Sequence, residues 1–507
     1  MWRPTSEAVL KLDFIIVGGG LSGLASAHAL ASSGHHVRVF EQSTDPTLPY
    51  SSAFRLPPNG TKIMEKWGIL DELVERGTKL TGCKFIDLET GESLGYLQWS
   101  DKVCRELGGP AYSIFHNDLH KLLTAAALKS GVEIVTGATV EVVVPPSQNP
   151  DSPSSAVNGN HSKTSIKLAS GELHSADIVI GADGHQSIVR RTIEEVPEVP
   201  RTGRVVYNGV IPHSTMMGDE LLKEVTRIGF PVWMGDLYYA HAYSACHDEY
   251  WSFNFWQVED PNDDAPSGWG TSFPTSRLNF GEKLDPRLQA VIDHIPSLER
   301  VSSDVPPIAT SWVDKSETML LVGEAAHPLP PCSQPGAAIA LEDACFLGTL
   351  FSHLRHPSQI PTFLYAFEDV RRPRATRLHE SELDNQTILS LPPGPAKDAR
   401  NATWKEQEKV SVDKDVLSAA DGSAGSSDGD DMSSEAENLE LRRQWLEFYE
   451  NWGYDAQDAA NSWWVEWGLL RERAEEAARG VNGHGDGAAG DARGLGVERE
   501  IVVTRHD

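Results

Sequence analysis

Three short stretches pair glycine with an acid in a manner suited to binding phosphates and sugars. Gly18-Gly19-Gly20-Leu21-Ser22-Gly23 has the spacing G-x-G-x-x-G, and Glu41 closes a second apolar stretch at 37–40. Asp183-Gly184 follows the strand pattern 176–180, and Gly323-Glu324 follows the apolar run 319–322. In such a loop Gly18 suits a tight turn and Gly20 lets the backbone approach a pyrophosphate. Gly23 allows close helix packing, which turns a helix amino end toward the phosphates. Glu41 stands where a carboxylate accepts hydrogen bonds from an adenosine ribose. A lone glycine-rich loop would say little. Here a strand pattern at 14–17 precedes it, an Ala/Leu-rich helix pattern follows, and a second strand ends in the acid.

The elements that must position these turns alternate between helical and strand periods. Helical spacing covers 60–76 and 117–129, while 81–99 reads as two strands around a turn at 89–91. Strands are also expected at 132–135, 139–144 and 166–168. Residues 46–59 and 145–164 are rich in Pro and Ser and read as loops. From 205 to 280 aromatic residues occur in alternating patches, which suggests an antiparallel sheet. Most of these rings belong to ordinary core, but some suit a pocket for a flat substrate. Tyr243 is the candidate catalytic residue there, a hydroxyl that orients substrate, against the plainer reading of a packed tyrosine. His327, after the third turn, reads as a histidine bonded to backbone. No metal-ligand spacing is present, nor a nucleophile with an identifiable base.

A helix is expected from Gly336, and another over 363–389 with a break or kink at Pro373. Arg371, Arg372, Arg374 and Arg377 alternate with acids and read as a solvated face. The stretch 384–438 becomes Gly/Ser/Asp/Glu-rich and reads as a disordered acidic linker. A Trp-rich helical extension, 439–479, carries too many large rings to leave in water and is expected to dock on the main body or a partner. The tail 480–507 is Gly-rich.

A chain of 507 residues suggests two or three domains, and 40% hydrophobic residues suffice for globular cores. A net charge of −29 argues against nucleic acid and anionic membrane surfaces as partners. Five cysteines without C-x-x-C spacing read as reduced thiols. With no apolar signal core and no run long enough to span a membrane, the expected location is cytoplasmic.

The ordered set of G-x-G-x-x-G, D-G and G-E-A-A-H-P resembles the motifs of the group A flavoprotein monooxygenases, the family of para-hydroxybenzoate and salicylate hydroxylases, over roughly 13–383. The resemblance implies an α/β fold. A discontinuous Rossmann-like FAD-binding domain (8–80, 101–200 and 300–383) would be joined to an antiparallel β-sheet substrate domain (81–100 and 201–299) and followed by the α-helical C-terminal extension. It further implies FAD at Gly18, Gly20, Gly23, Glu41, Ala53, His116, Asp183, Glu324, Gly336 and Ala337, with NADPH or NADH as co-substrate. Asn208 and Tyr243 would face the substrate. The implied reaction uses O₂ to hydroxylate a phenolic or other aromatic small molecule, as a tailoring step in secondary metabolism. The alternatives are alkene epoxidation and a non-catalytic flavin-binding scaffold.

The chain departs from the family pattern at several positions. Glu324 replaces the usual Asp, His116 an Arg that relatives often carry, and Asn208 stands where several phenol-binding relatives have Arg. Neither His116 nor Asn208 brings a permanent charge.

Overall fold

The computed structural model describes residues 7–45, 52–146, 163–260, 267–278, 281, 283–295, 297–407, 446 and 448–470. The chain divides into two compact units, 1–460 and 461–507.

A five-stranded parallel sheet lies at the centre of the half that carries the three glycine turns. Its order is Met319–Leu321, Ile178–Gly181, Asp13–Val17, His36–Glu41 and Glu133–Thr136. Each strand is short, and the central ones are apolar because helices such as Leu21–Ser32 and Gly336–Phe351 accompany the sheet. Asp13–Val17 has the next strand on one side and a much later strand on the other. Connections leave in opposite directions at that point, opening a crevice at the strands' carboxyl ends.

The second large sheet has seven strands, ordered Glu299–Ser302, Arg204–Pro212, Tyr250–Val258, Tyr239–Ala245, Pro231–Met234, Gly82–Asp87 and Ser93–Gln98. It is antiparallel except where Pro231–Met234 runs parallel to Gly82–Asp87, which stitches the early hairpin to the later strands. Side chains alternate across it with period two. Tyr207, Trp233, Trp251, Phe253 and Phe255 share one core with the helices Glu220–Ile228 and Pro286–His294. Burying each such ring contributes ~1.5–3 kcal/mol. The intervening residues, Asn208, His241, Tyr243, Ser252 and Asn254, are polar and belong to the opposite face by the same alternation.

Several expectations are corrected. The stretch 46–59 is not all loop: Ala53–Leu56 is a strand paired with Ala111–Phe115. The helical stretch 60–76 is two helices, Pro58–Lys66 and Leu70–Val74, separated at Gly68, whose φ of 71° favours glycine. Pro373 does not break its helix, which runs unbroken from Gln359 to Leu389. The arginine-rich stretch is not simply a solvated face. Arg371 and Arg374 are buried and hold Glu342 at 2.8 and 2.9 Å, while Arg371 also holds Asp343 at 2.9 Å. Balanced charge in sequence cannot distinguish exposed pairs from a paired, buried cluster. The expected linker also begins later, because Pro395–Gln407 is a helix.

Residues 147–162, 408–445 and 471–507 lie outside the described residues, and with them most of the expected loop, linker and tail. In the first unit, Trp452 packs against Val103 and Leu107. Lys62 and Lys66 reach the Gly453 carbonyl and Asp455 at 2.8 and 2.7 Å, and the Tyr454 ring lies 4.5 Å from the Arg374 guanidinium. In the second unit, 464–468 form a π-helical turn. No described helix is long and apolar enough to cross a membrane.

Candidate active site

The three glycine turns converge at the carboxyl edge of the parallel sheet. Gly18 has a φ of 102°, and a Cβ there would lie 2.4 Å from the Ala182 carbonyl oxygen. The first turn is thus pressed against the Asp183 turn, and only glycine fits. A Cβ at Gly23 would meet the Gly18 carbonyl oxygen at 2.0 Å, so the helix sits directly on the strand. Gly20 differs: it is exposed, with nothing within 4 Å of where its Cβ would be. The Leu21–Ser32 helix begins there without a side-chain cap, leaving its first amide groups free for an anion.

Acids ring this opening. Glu41 accepts from the Gly19 and Ser43 amides, each at 2.7 Å, which fixes its carboxylate at the end of its strand. Asp183 Oδ2 accepts from Ile188 and Val189, while its Oδ1 is buried without a partner. Burial raises the Asp183 pKa, partly offset by hydrogen bonds from Ser187 and nearby amides. An orphaned carboxylate oxygen beside the glycine turn fits a ribose or other hydroxyl donor. Solvent reaches Glu324, yet the surrounding protein raises its pKa against the pull of His185 and His327. Both observations describe a carboxyl within a cleft, and the extra methylene relative to Asp has not removed it from that edge.

The third turn is anchored from below. Gly323, at φ 59°, donates to Asp343 Oδ2 at 3.1 Å, and His327 Nε2 meets the same oxygen at 2.6 Å. His327 is therefore held by a carboxylate, not by backbone as expected. Burial pushes the pKa values of Glu342 and Asp343 up, but Arg374 and Arg371 at Glu342, and His327 and Arg371 at Asp343, outweigh it and hold both low. This cluster gave no separate signal in sequence. Gly336 and Ala337 begin the next helix, half-buried and without a side-chain cap.

His116 starts the His116–Lys129 helix, its ring 6.2 Å from that of His120. Burial, with the neighbouring His120 charge, lowers its pKa to about 4, so it is neutral at neutral pH. His120, which the sequence did not single out, meets the Gly19 carbonyl oxygen at 2.8 Å through Nε2.

A second polar centre lies on the seven-stranded sheet. Tyr243 donates to the Ala53 carbonyl at 2.6 Å, and its oxygen lies 3.3 Å from Asn254 Oδ1. Asn254 Oδ1 also accepts from His241 Nε2 at 3.0 Å. Asn254 donates through its amide to Asn208 Oδ1, which Cys332 Sγ approaches at 2.9 Å. Burial, reinforced by the Arg55 charge, keeps His241 neutral; burial outweighs that charge and raises Cys332 to about 12. Ala53, Asn208 and Tyr243 thus meet in one network, whereas Gly18, Gly20, Gly23, Glu41 and Asp183 gather at the other centre. Sequence reading missed His241, Asn254, Cys332 and Arg55. A polar residue inside the aromatic run WSFNFW was the available sign for Asn254, and a charge inside AFRLPP for Arg55.

Comparison with known proteins places these features in context. The sequence profile of the FAD binding domain matches residues 11–216. The FAD-dependent monooxygenase OpS4 of Beauveria bassiana (strain ARSEF 2860) is 26% identical over 404 residues, covering 77% of this chain and 88% of the relative. The 3-hydroxybenzoate 6-hydroxylase of Klebsiella oxytoca is 28% identical over 400 residues, covering 77% and 92%. The crystal structure of CtdE in complex with FAD and substrate 4 shares the fold, with a TM-score of 0.67, 19% identity, and coverage of 91% of this chain and 100% of that one.

Proposed function

We propose that the chain is a group A FAD-dependent monooxygenase that hydroxylates a phenolic or other aromatic small molecule with NADPH or NADH and O₂. The observation that carries the reading is the pairing of two centres. A glycine-and-acid cradle with open helix amino ends accompanies a buried polar network on an aromatic-rich sheet. Ala53, on the Ala53–Leu56 strand, joins the network through its carbonyl.

In this proposal Gly18, Gly20 and Gly23 hold the FAD pyrophosphate, and Glu41 takes the adenosine ribose. Asp183 and Glu324 accept from the remaining sugar-like hydroxyls, and Gly336 and Ala337 offer amides at the flavin ring, near which Ala53 and neutral His116 lie. The bound flavin supplies the two-electron chemistry that activates O₂. The chain's own residues exclude water and hold the aromatic ring, with Tyr243 and Asn208 as positioning groups. Tyr243 serves by direction of its hydroxyl, since burial raises its pKa despite Arg55 and keeps it protonated. The Trp-rich carboxyl-terminal region belongs to the proposal as a self-docking element, supported by the packing of Trp452. A cytoplasmic setting is likewise supported by five free cysteines.

The test is direct. The purified protein should carry a flavin spectrum, and phenols should stimulate its oxidation of NADH or NADPH under air with formation of hydroxylated product. A yellow protein whose turnover no aromatic compound stimulates, with either nicotinamide, would defeat the reading.

A further inference from the structure

Arg55 lies in the Ala53–Leu56 strand, half-buried and opposite Ser113. Its guanidinium is 5.6 Å from the centre of the Phe230 ring and 5.8 Å from that of Tyr243. Two aromatic faces therefore fix the fork without using its N–H groups. Among the described residues nothing forms a hydrogen bond or ion pair with it. That sets it apart from five arginines of this body that are paired with acids. Arg190, Arg287, Arg300, Arg371 and Arg374 each hold a carboxylate at 2.9 Å or less. Arg55 is half-buried, and folds normally pair a cation that is partly withdrawn from water with an anion.

The surroundings make this cation specific to the polar centre. Its field reaches Tyr239, His241, Tyr243, Cys332 and Glu382. Asn208 and Asn254 carry no charge, His241 is held neutral, and Tyr243 stays protonated, so Arg55 alone among these groups is charged at neutral pH. Glu382 forms no ion pair with it, and burial raises that carboxyl to about 7 despite the Arg55 charge, so it compensates poorly.

We propose that Arg55 is the receptor for an aromatic oxyanion, so that the substrate of this enzyme carries an ionised carboxylate or phenolate gripped by the free guanidinium fork beside Tyr243. This rests on the aromatic-hydroxylase reading. It also gives the charge missing at Asn208 a new source, on a strand from a different sheet. An aromatic body would share the faces of Phe230 and Tyr243, while its anion takes the unused N–H groups, a geometry that arginine satisfies in a bidentate manner.

The test uses the flavin-loaded enzyme and titrates matched aromatic probes by the change in flavin absorbance. Hydroxybenzoates are compared with their amides, which removes the carboxylate, and with their methyl ethers, which removes the phenol. The expected result is that one anionic form binds about ten- to a hundred-fold tighter than its neutral partner. Arg55→Gln should erase that preference while flavin content and binding of the neutral probe remain, and Arg55→Lys should keep part of it. The arm that shows the loss, amide or ether, identifies the anion as carboxylate or phenolate. An unchanged preference in Arg55→Gln overturns the proposal. So does a wild-type enzyme that binds and turns over neutral probes as well as anionic ones, a result that leaves the hydroxylase reading intact and requires no variant. If no probe alters the flavin spectrum or stimulates nicotinamide oxidation, the aromatic-hydroxylase reading fails and this proposal fails with it.

Discussion

Asn208 and Asn254 stand in register on adjacent antiparallel strands, and the Asn254 amide donates to Asn208 Oδ1. His241 is in register with Asn254 on its other side and donates to its oxygen. Three neighbouring strands thus share one row of hydrogen bonds on the sheet face opposite the aromatic core. The row ends at Asn208 Nδ2, which is buried without a partner. Leaving such a group unpaired costs ~1–3 kcal/mol, which a substrate oxygen placed there would recover. The network is polar enough to orient a substrate and neutral enough to leave charge recognition to Arg55.

Tyr243→Phe is expected to separate orientation from folding. It removes one hydroxyl, and with it the donor to the Ala53 carbonyl. Stability should fall by about 1 kcal/mol and flavin content should hold. Product formed per nicotinamide oxidised should drop, because a loosely held ring lets reduced flavin react unproductively. Equal product yield with an unchanged urea midpoint would argue that the hydroxyl orients nothing.

Gly23→Ala tests the cradle. The added methyl would lie 2.0 Å from the Gly18 carbonyl oxygen, so strand and helix must separate. The expected cost is ~1–3 kcal/mol, together with loss of bound flavin on gel filtration. Gly20→Ala, where nothing lies within 4 Å, should fold as the parent does and lose only flavin affinity. Normal flavin retention in Gly23→Ala would show that the turn gives way without consequence.

Arg371→Met removes one member of a buried ionic cluster and leaves Glu342 and Asp343 short of positive charge. Breaking such a cluster costs ~3–5 kcal/mol. The Gly323 turn should loosen too, since Asp343 holds it. Arg377→Met, at a half-exposed pair with Glu450, should cost less than about 1 kcal/mol. Similar denaturation midpoints for the two variants would contradict the ranking.

His35 gives a pH test. Its Nδ1 accepts from Leu12 and its Nε2 donates to Phe351, so the buried neutral ring is fully used. Burial lowers its pKa from 6.5 to about 4, against a small opposing effect of the Phe351 hydrogen bond. Between those values the unfolded chain binds a proton that the folded chain does not, so stability falls as pH falls through this window. One such proton changes stability by about 1.4 kcal/mol per pH unit. His35→Gln should reduce proton uptake on unfolding at pH 5.5 by nearly one, as measured by the pH dependence of urea unfolding. The same slope in both proteins would sink the assignment.

The sequence by itself determined the parallel sheet with its three glycine turns, because short-range sterics write themselves into residue type. A glycine at Gly18 or Gly23 records a collision that any side chain would suffer. Strand and helix periods likewise fixed the acids Glu41, Asp183 and Glu324 to strand ends. Only the tertiary structure decided which charges are buried and which residues meet. Arg55, Asn208, His241, Asn254 and Cys332 come from stretches up to 277 residues apart; sheet register aligns Asn208, His241 and Asn254, and tertiary packing brings Arg55 and Cys332 to them. Arg371 and Arg374 look no different in sequence from Arg377, yet burial against Glu342 separates structural charge from surface charge. Local pattern reports the conformation of a segment, while desolvation depends on what the rest of the chain places against it.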